Sequence, residues 1–360
     1  VAARINAKYY FGAPVPNATV KYTVRKSSWW ASYNFPSRWD WLFNSWGVNR
    51  ERRNIGGEGS GEIIKEGEVK TDEKGFAEVT FKTHELEPID ENNWWARYQN
   101  PLYTIEAEVT DASRRTLGAQ GSVRVSRQPY FVFLNTERGY FQKGDRVPVE
   151  VRAQDANSQG VAASGTMRVF KMLPENREEK VFEGAVSTDA TGKAFWNWEA
   201  SDGGQFRVEF DGMGEWGERV KASTEVWVVD ERMSAIRLRG VSILLDKRDY
   251  AQGDVLRAAI VADKPGAQVL LTQEASGQIL RRDVIEVGNQ SRIIEIPIEK
   301  KHVPNFFLAA ALIQDYEVFQ AQTEVFVPPV RQILDLKVKG DKPSYAPGEK
   351  GVFEIEARDY

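Results

Sequence analysis

The chain contains no cysteine in 360 residues. Disulfides, thiolate zinc sites and a cysteine nucleophile are therefore excluded from it. The absence also counts against an animal secreted protein built of sandwiches, where disulfides are expected. It does not by itself prove a reducing compartment, because large sandwich domains bury enough apolar surface to stand without cross-links. Histidine is nearly as scarce, with only His84 and His302. They lie in different repeats and neither has a second histidine nearby, so a zinc site or a Ser-His-Asp triad lacks its parts and both read as loop residues. No apolar run approaches the ~18 residues that cross a bilayer. A net charge of −4 leaves no basic footprint for nucleic acid. No signal-like segment follows Val1, and the missing initial Met suggests a processed chain or a piece of a longer one.

What is present is repetition. Tyr140-Phe-Gln-Lys-Gly144-Asp145, Tyr250-Ala-Gln-Gly253-Asp254 and Tyr345-Ala-Pro-Gly348-Glu349 each place an aromatic residue, a glycine turn and an acid before an alternating segment. An interval of about 100 residues is that of immunoglobulin-like sandwiches in tandem. Other markers recur in the same order. Thr71-Asp72-Glu-Lys-Gly75 matches Thr188-Asp189-Ala-Thr-Gly192, and the turn at Gly12 matches the one at Ser158. Period-2 stretches such as Tyr103 to Val109 and Phe206 to Phe210 read as strands.

These spacings divide the chain into four expected domains. Residues 1–127 form a sandwich lacking its first strand, with a Trp-rich insert at about 26–60. Residues 128–232 and 233–328 form two further sandwiches, and 329–360 supply the first strands of a fourth. The chain is expected to begin inside one domain and end inside another, with its open sheet edges completed by the rest of the protein or by a partner.

Ala7-Lys-Tyr-Tyr-Phe-Gly12-Ala-Pro-Val-Pro-Asn-Ala18, Thr71 to Gly75, Leu245-Asp-Lys-Arg-Asp-Tyr250-Ala-Gln-Gly253-Asp254 with Val303-Pro-Asn305, and Tyr345 to Glu349 together resemble the alpha-2-macroglobulin family, its bacterial branch in particular. The resemblance covers the chain except the insert. It implies an all-β fold of tandem seven-stranded antiparallel β-sandwich domains, macroglobulin or fibronectin III-like. The third unit resembles the domain just ahead of the one bearing the bait. The family implies protease trapping: an endopeptidase cuts an exposed bait segment, the molecule rearranges, and many members capture the protease through a thioester. That thioester needs a Cys, so its domain is absent here, and the bait belongs beyond Tyr360. The segment is expected to be a non-enzymatic scaffold, with no catalytic, cofactor-binding or metal-binding residue. Its implied partners are target endopeptidases, acting through regions outside the segment, and neighbouring macroglobulin domains. Nucleic acid and direct membrane insertion are not expected. The implied place is the bacterial periplasm or cell envelope, an inner-membrane lipoprotein being one form of it. The competing expectations are a surface adhesin or stalk of immunoglobulin-like repeats and a carbohydrate-binding array.

Other features point to structure rather than chemistry. Gly56-Gly-Glu-Gly-Ser-Gly61 has no Lys-Ser/Thr after it and opens no helix, so it reads as a loop and not a phosphate cradle. Asp72 and Asp189 sit where a carboxylate closes a turn; calcium would need more oxygen ligands than either offers. Asp145, Asp254 and Glu349 read as turn-formers. The tryptophans form the candidate interface: Trp29, Trp30, Trp39, Trp41 and Trp46 in the insert, with Trp94 and Trp95 after it. Their readings are a satellite core over one face of unit one, a contact surface between domains, or a sugar-stacking platform. A short helix is expected around Arg38 to Phe43.

Overall fold

A computed structural model describes residues 1–45, 61–83, 94–230, 233 and 236–359. Trp46, His84 and the loop residues Gly56 to Ser60 lie outside the described residues.

The first unit pairs β1 (Ala2–Asn6) with β4 (Phe76–Thr80). Facing them is a four-stranded sheet in the order β3-β2-β5-β6, made of β2 (Thr19–Trp30), β3 (Glu62–Lys70), β5 (Gln99–Thr110) and β6 (Thr116–Arg124). The second unit holds β7 (Phe131–Asn135), β8 (Phe141–Gln142), β9 (Arg146–Gln154), β10 (Ser164–Met172), β11 (Glu178–Ser187), β12 (Lys193–Glu199), β13 (Gly204–Met213) and β14 (Arg219–Val229). They form sheets β12-β9-β7 and β11-β10-β13-β14-β8. The third unit has seven strands: β15 (Val241–Leu245), β16 (Val255–Ala262), β17 (Ala267–Ala275), β18 (Gln278–Val287), β19 (Ser291–Pro297), β20 (Asn305–Gln314) and β21 (Glu317–Phe326). Their sheets are β15-β16-β19 and β18-β17-β20-β21. A hairpin of β22 (Leu334–Gly340) and β23 (Phe353–Asp359) follows.

The alternation seen in sequence sets the cores. On β9, Val147, Val149 and Val151 are fully buried against Phe206, Phe210 and Trp198, while Arg146 and Pro148 point out. Pro148 lacks a donor, and β7 pairs only with Glu150 to Gln154, so the missing N–H falls where no strand needs it. Among the described residues the ladders are antiparallel with two small exceptions. The two-residue β8 runs parallel to β14, and Asp249 bridges Phe326 in parallel at the matching place in unit three.

The repeat markers have a shared geometry. Ala7 N–H donates to the Gly75 carbonyl at 2.8 Å, and Ala153 N–H to Gly192 at 2.8 Å. Thr71 and Thr188 each accept a backbone N–H from across the sandwich, from Ala18 and Ala163, both at 2.8 Å. Asp72 and Asp189 close their turns by accepting N–H groups two and four residues on.

The aromatic-Gly-acid marker is corrected by one position. In each copy the acid accepts the N–H three residues before it: Asp145 from Gln142 at 3.0 Å, Asp254 from Ala251 at 3.2 Å, and Glu349 from Ala346 at 2.9 Å. The glycines between have φ of +90°, +99° and +82°, a left-handed turn that glycine adopts without strain. Counting back from them, the counterpart of Tyr250 and Tyr345 is Phe141, not Tyr140. Phe141 and Tyr250 are core residues of their units, whereas Tyr140 points out of its sandwich. A cation seven residues before each acid, Arg138, Lys247 or Lys342, pairs with it. His302, expected in a loop, is instead almost fully buried in a short 3₁₀ turn, where Nδ1 accepts the Glu299 N–H at 2.9 Å and the ring packs on Phe306.

Candidate functional interface

Two of the side chains singled out by sequence, Trp29 and Trp39, lie at seams between units. Among the described residues no group of three or more His, Asp or Glu could hold a metal ion.

At the seam of units one and two, Trp29 is the last residue but one of the long strand β2. Its ring is buried, meets the edge of Phe131 at 5.7 Å and donates from Nε1 to the Pro101 carbonyl at 3.0 Å. Tyr98 and Phe133 extend the cluster, and the Tyr98 hydroxyl donates to the Val132 carbonyl at 3.1 Å. Burial pushes the Tyr98 phenol up to about 12, so it stays a neutral donor. Gln154 reaches back to the Ser32 carbonyl at 3.0 Å, and the Arg152 guanidinium lies 5.0 Å from the centre of the Tyr33 ring.

Between units two and three, β16 is buried on both faces. Ala258, Ile260 and Ala262 face their own core, while Ala259 and Val261 are covered by Tyr140, Met233 and Ile236. Gly139 N–H donates to the Leu245 carbonyl at 2.9 Å, joining the two units by backbone. A Cβ on Gly139 would stand 2.8 Å from that oxygen. Burial first, and the Asp246 carboxylate second, push the Tyr140 phenol up to about 12. The connecting segment is held from both sides: Arg237 donates to the Arg177 carbonyl at 2.8 Å and Arg239 pairs with Glu317 at 2.5 Å.

The third seam joins units that are not neighbours in sequence. The insert turns into helix α1 (Asp40–Ser45), with Asp40 accepting the Ser37 N–H at 2.8 Å to start it. Trp39 and Leu42 are buried against Phe326, Val330 and Ile333, at the end of unit three and the lead into the hairpin. The Trp39 Nε1–H donates to Asp249 Oδ2 at 2.9 Å. Asp249 immediately precedes the core aromatic Tyr250, the position that Tyr140 holds in unit two. A cleft of about 750 Å³ beside this seam is lined by Arg38, Arg138, Arg248, Glu137, Asp246 and Asp254, among others. It carries both signs of charge and singles out neither an anion nor a cation.

The remaining tryptophans are placed differently. Trp30 is half-buried at the end of β2, opposite Gln99. Trp41 is half-exposed, its ring 6.5 Å from that of Trp39. Trp94 and Trp95 begin the 3₁₀ turn Trp94–Tyr98, and their side chains lie outside the described residues, as does Trp46. Trp29 and Trp39 thus belong to separate seams rather than to one patch over a face of unit one.

The partners of these rings were not singled out by sequence. Tyr98, Phe131, Asp249, Phe326 and Val330 are ordinary residues at strand ends and in short 3₁₀ turns or bridges. One signal was available: Ala258-Ala-Ile-Val-Ala262 is apolar without alternation, the pattern of a strand covered on both faces.

Comparison with known proteins places these seams in context. Residues 241–359 match the alpha-2-macroglobulin bait region domain. A curated alpha-2-macroglobulin from Ralstonia nicotianae is 26% identical over 312 residues, 82% of this chain and 18% of the relative. The chain therefore spans less than a fifth of that relative's length. Among solved structures, trypsin-activated alpha-2-macroglobulin from Escherichia coli aligns with all of this chain and 25% of its own, at 15% identity and a TM-score of 0.38. A tetra-tandem repeat from the extending region of a large adhesion protein aligns with 87% of this chain at 12% identity and a TM-score of 0.23.

Proposed function

We propose that this chain, a central segment of an alpha-2-macroglobulin-family protein, is a non-enzymatic frame that holds the bait-bearing part of a protease trap in a set orientation. The observation that supports this most is the Trp39–Asp249 contact, which lets unit one reach unit three past unit two. In an extended stalk each repeat touches only its neighbours. A contact between non-neighbours folds the array back on itself, which suits a frame and not a spacer. The carbohydrate reading needs open rings, yet Trp29 and Trp39 are buried and donate to protein acceptors.

In this reading the substrate-like partner is an endopeptidase that cuts the bait of the full-length protein, and the place of action is the bacterial periplasm or cell envelope. No helix among the described residues is long and apolar enough to cross a membrane. The units respond as rigid bodies, because packed sandwich cores resist deformation while seams repack. The test is to expose the full-length protein to an endopeptidase and follow hydrodynamic radius and protease retention. A single early cut, a compacted product and retained protease are expected. Stepwise degradation with no change of radius before fragmentation would refute the trap.

A further inference from the structure

We propose that helix α1 is a clasp on the lead into the fourth unit, so that the orientation of the β22–β23 hairpin is set by unit one through Trp39 and Leu42. This rests on the frame reading above and names the contact that regulates it.

Among the described residues the hairpin has little packing of its own. Every residue of β23 and all but the last of β22 are exposed, including Leu336, Val338 and Ile355, so no described sandwich face holds it. Among the described residues it is joined to the rest of the chain through the few residues before Leu334. Those residues are anchored to unit three as far as Val327, whose N–H donates to the Pro304 carbonyl at 2.9 Å, and Pro328 is buried. Beyond Pro328 the chain makes a single 3₁₀ turn, Val330–Gln332. The described core side chains packed on Val330 and Ile333 there are Trp39 and Leu42.

The grip is directional as well as apolar. The indole N–H is aimed at Asp249, and Asp249 is bridged to Phe326, the residue where β21 ends. The Tyr250 N–H also donates to the Phe326 carbonyl, at 2.9 Å. One ring is therefore pinned to the point where unit three hands over to the hairpin. A swing that begins before Ile333 pulls Val330 and Ile333 off Trp39. Coupling of this kind is reciprocal: whatever displaces the hairpin loosens α1, and whatever loosens α1 frees the hairpin.

Hydrogen exchange on the 360-residue chain tests this. Trp39→Ala is expected to raise amide exchange across residues 330–333 at least about tenfold, a coupling at the lower end of the usual range, with the β17 to β21 amides and the β22–β23 ladder unchanged. Leu42→Ala is expected to act in the same direction, and Asp249→Asn, which keeps an acceptor oxygen, to act least. In the reverse arm, Ile333→Ser should speed exchange of the Trp39 indole N–H, identified by its loss in Trp39→Phe. Unchanged exchange at 330–333 in both Trp39→Ala and Leu42→Ala, with unit three intact, overturns the clasp. If the exchange results hold but a bait cut in the full-length protein causes no rearrangement, the clasp stands and the trap reading falls.

Discussion

Gly139→Ala isolates the seam between units two and three. Gly139 has no unusual φ, so alanine brings no backbone strain of its own; the change acts through space. The new Cβ would lie 2.8 Å from the Leu245 oxygen and 3.1 Å from its nitrogen, where ordinary contact begins near 3.4 Å. Backbone on backbone offers no flexible tip to move aside, so the two units must part by roughly 0.6 Å at this point. Overpacking of that kind costs about 1–3 kcal/mol. The 2.9 Å bond from the residue 139 N–H to the Leu245 carbonyl is lost with it, a further ~1 kcal/mol. Together these weaken the seam by about 2–4 kcal/mol, or roughly 30- to 700-fold in its opening equilibrium. Neither sandwich core is touched, so the effect is confined to the seam. Hydrogen exchange should rise by that factor in peptides covering residues 136–142 and 241–246, while β10 and β17 hold their protection. Gly118→Ala is the control, since nothing lies within 4 Å of its Cβ. Exchange at the seam within about threefold of the parent would refute the idea that close backbone approach fixes these two units.

Other outcomes follow from the repeat geometry and from buried ionisable groups. Thr71→Val and Thr188→Val should each cost about 1–3 kcal/mol in urea unfolding, because both strand the N–H of a partner bonded at 2.8 Å; unequal losses would break their equivalence. His302 has its pKa lowered from 6.5, first by burial and then by the Lys301 charge. The fold holds the neutral ring, so unit three should keep full stability above pH 6.5 and lose it as pH falls below that. His302→Gln should flatten this limb of the urea midpoint, and an unaltered slope would contradict it. Bonds from Arg219 and then Arg168 hold the Asp211 carboxyl at about 2, below its usual 3.8. Its contribution to unit two is complete above pH 3.8 and is lost as pH falls through about 2, so Asp211→Asn should remove acid sensitivity in that window alone.

Much of the fold was legible because its signals are local. Val147, Val149 and Val151 alternate; Asp72 and Asp189 sit in turns that demand them; Gly144, Gly253 and Gly348 stand where φ must be positive. The seams were harder to read. Trp39 finds Asp249 across 210 residues, and nothing about an aspartate in a loop announces an indole partner. The one-residue error at Tyr140 has the same origin. Two aromatics stand side by side there, and only the sheet decides which ring enters the core. The spacing from Gly144 and the cation seven residues before each acid were the internal evidence for Phe141. His302 was misread because a single histidine has no pattern, and its burial depends on Phe306 and the turn at Glu299.

The adjacency of Tyr140 and Phe141, and of Asp249 and Tyr250, has a consequence for how such arrays can diverge. Neighbouring residues on an extended strand point to opposite sides. Here one of each pair serves the unit that contains it, while the other serves whatever lies alongside. A change in the outward residue alters the choice of neighbour and leaves the interior untouched. In unit two that residue is a tyrosine facing the next sandwich; in unit three it is an acid facing an indole from two units back; in the hairpin it is Ser344. A string of modules that share one turn can thus be given a bent path by editing single letters at a fixed place in the repeat.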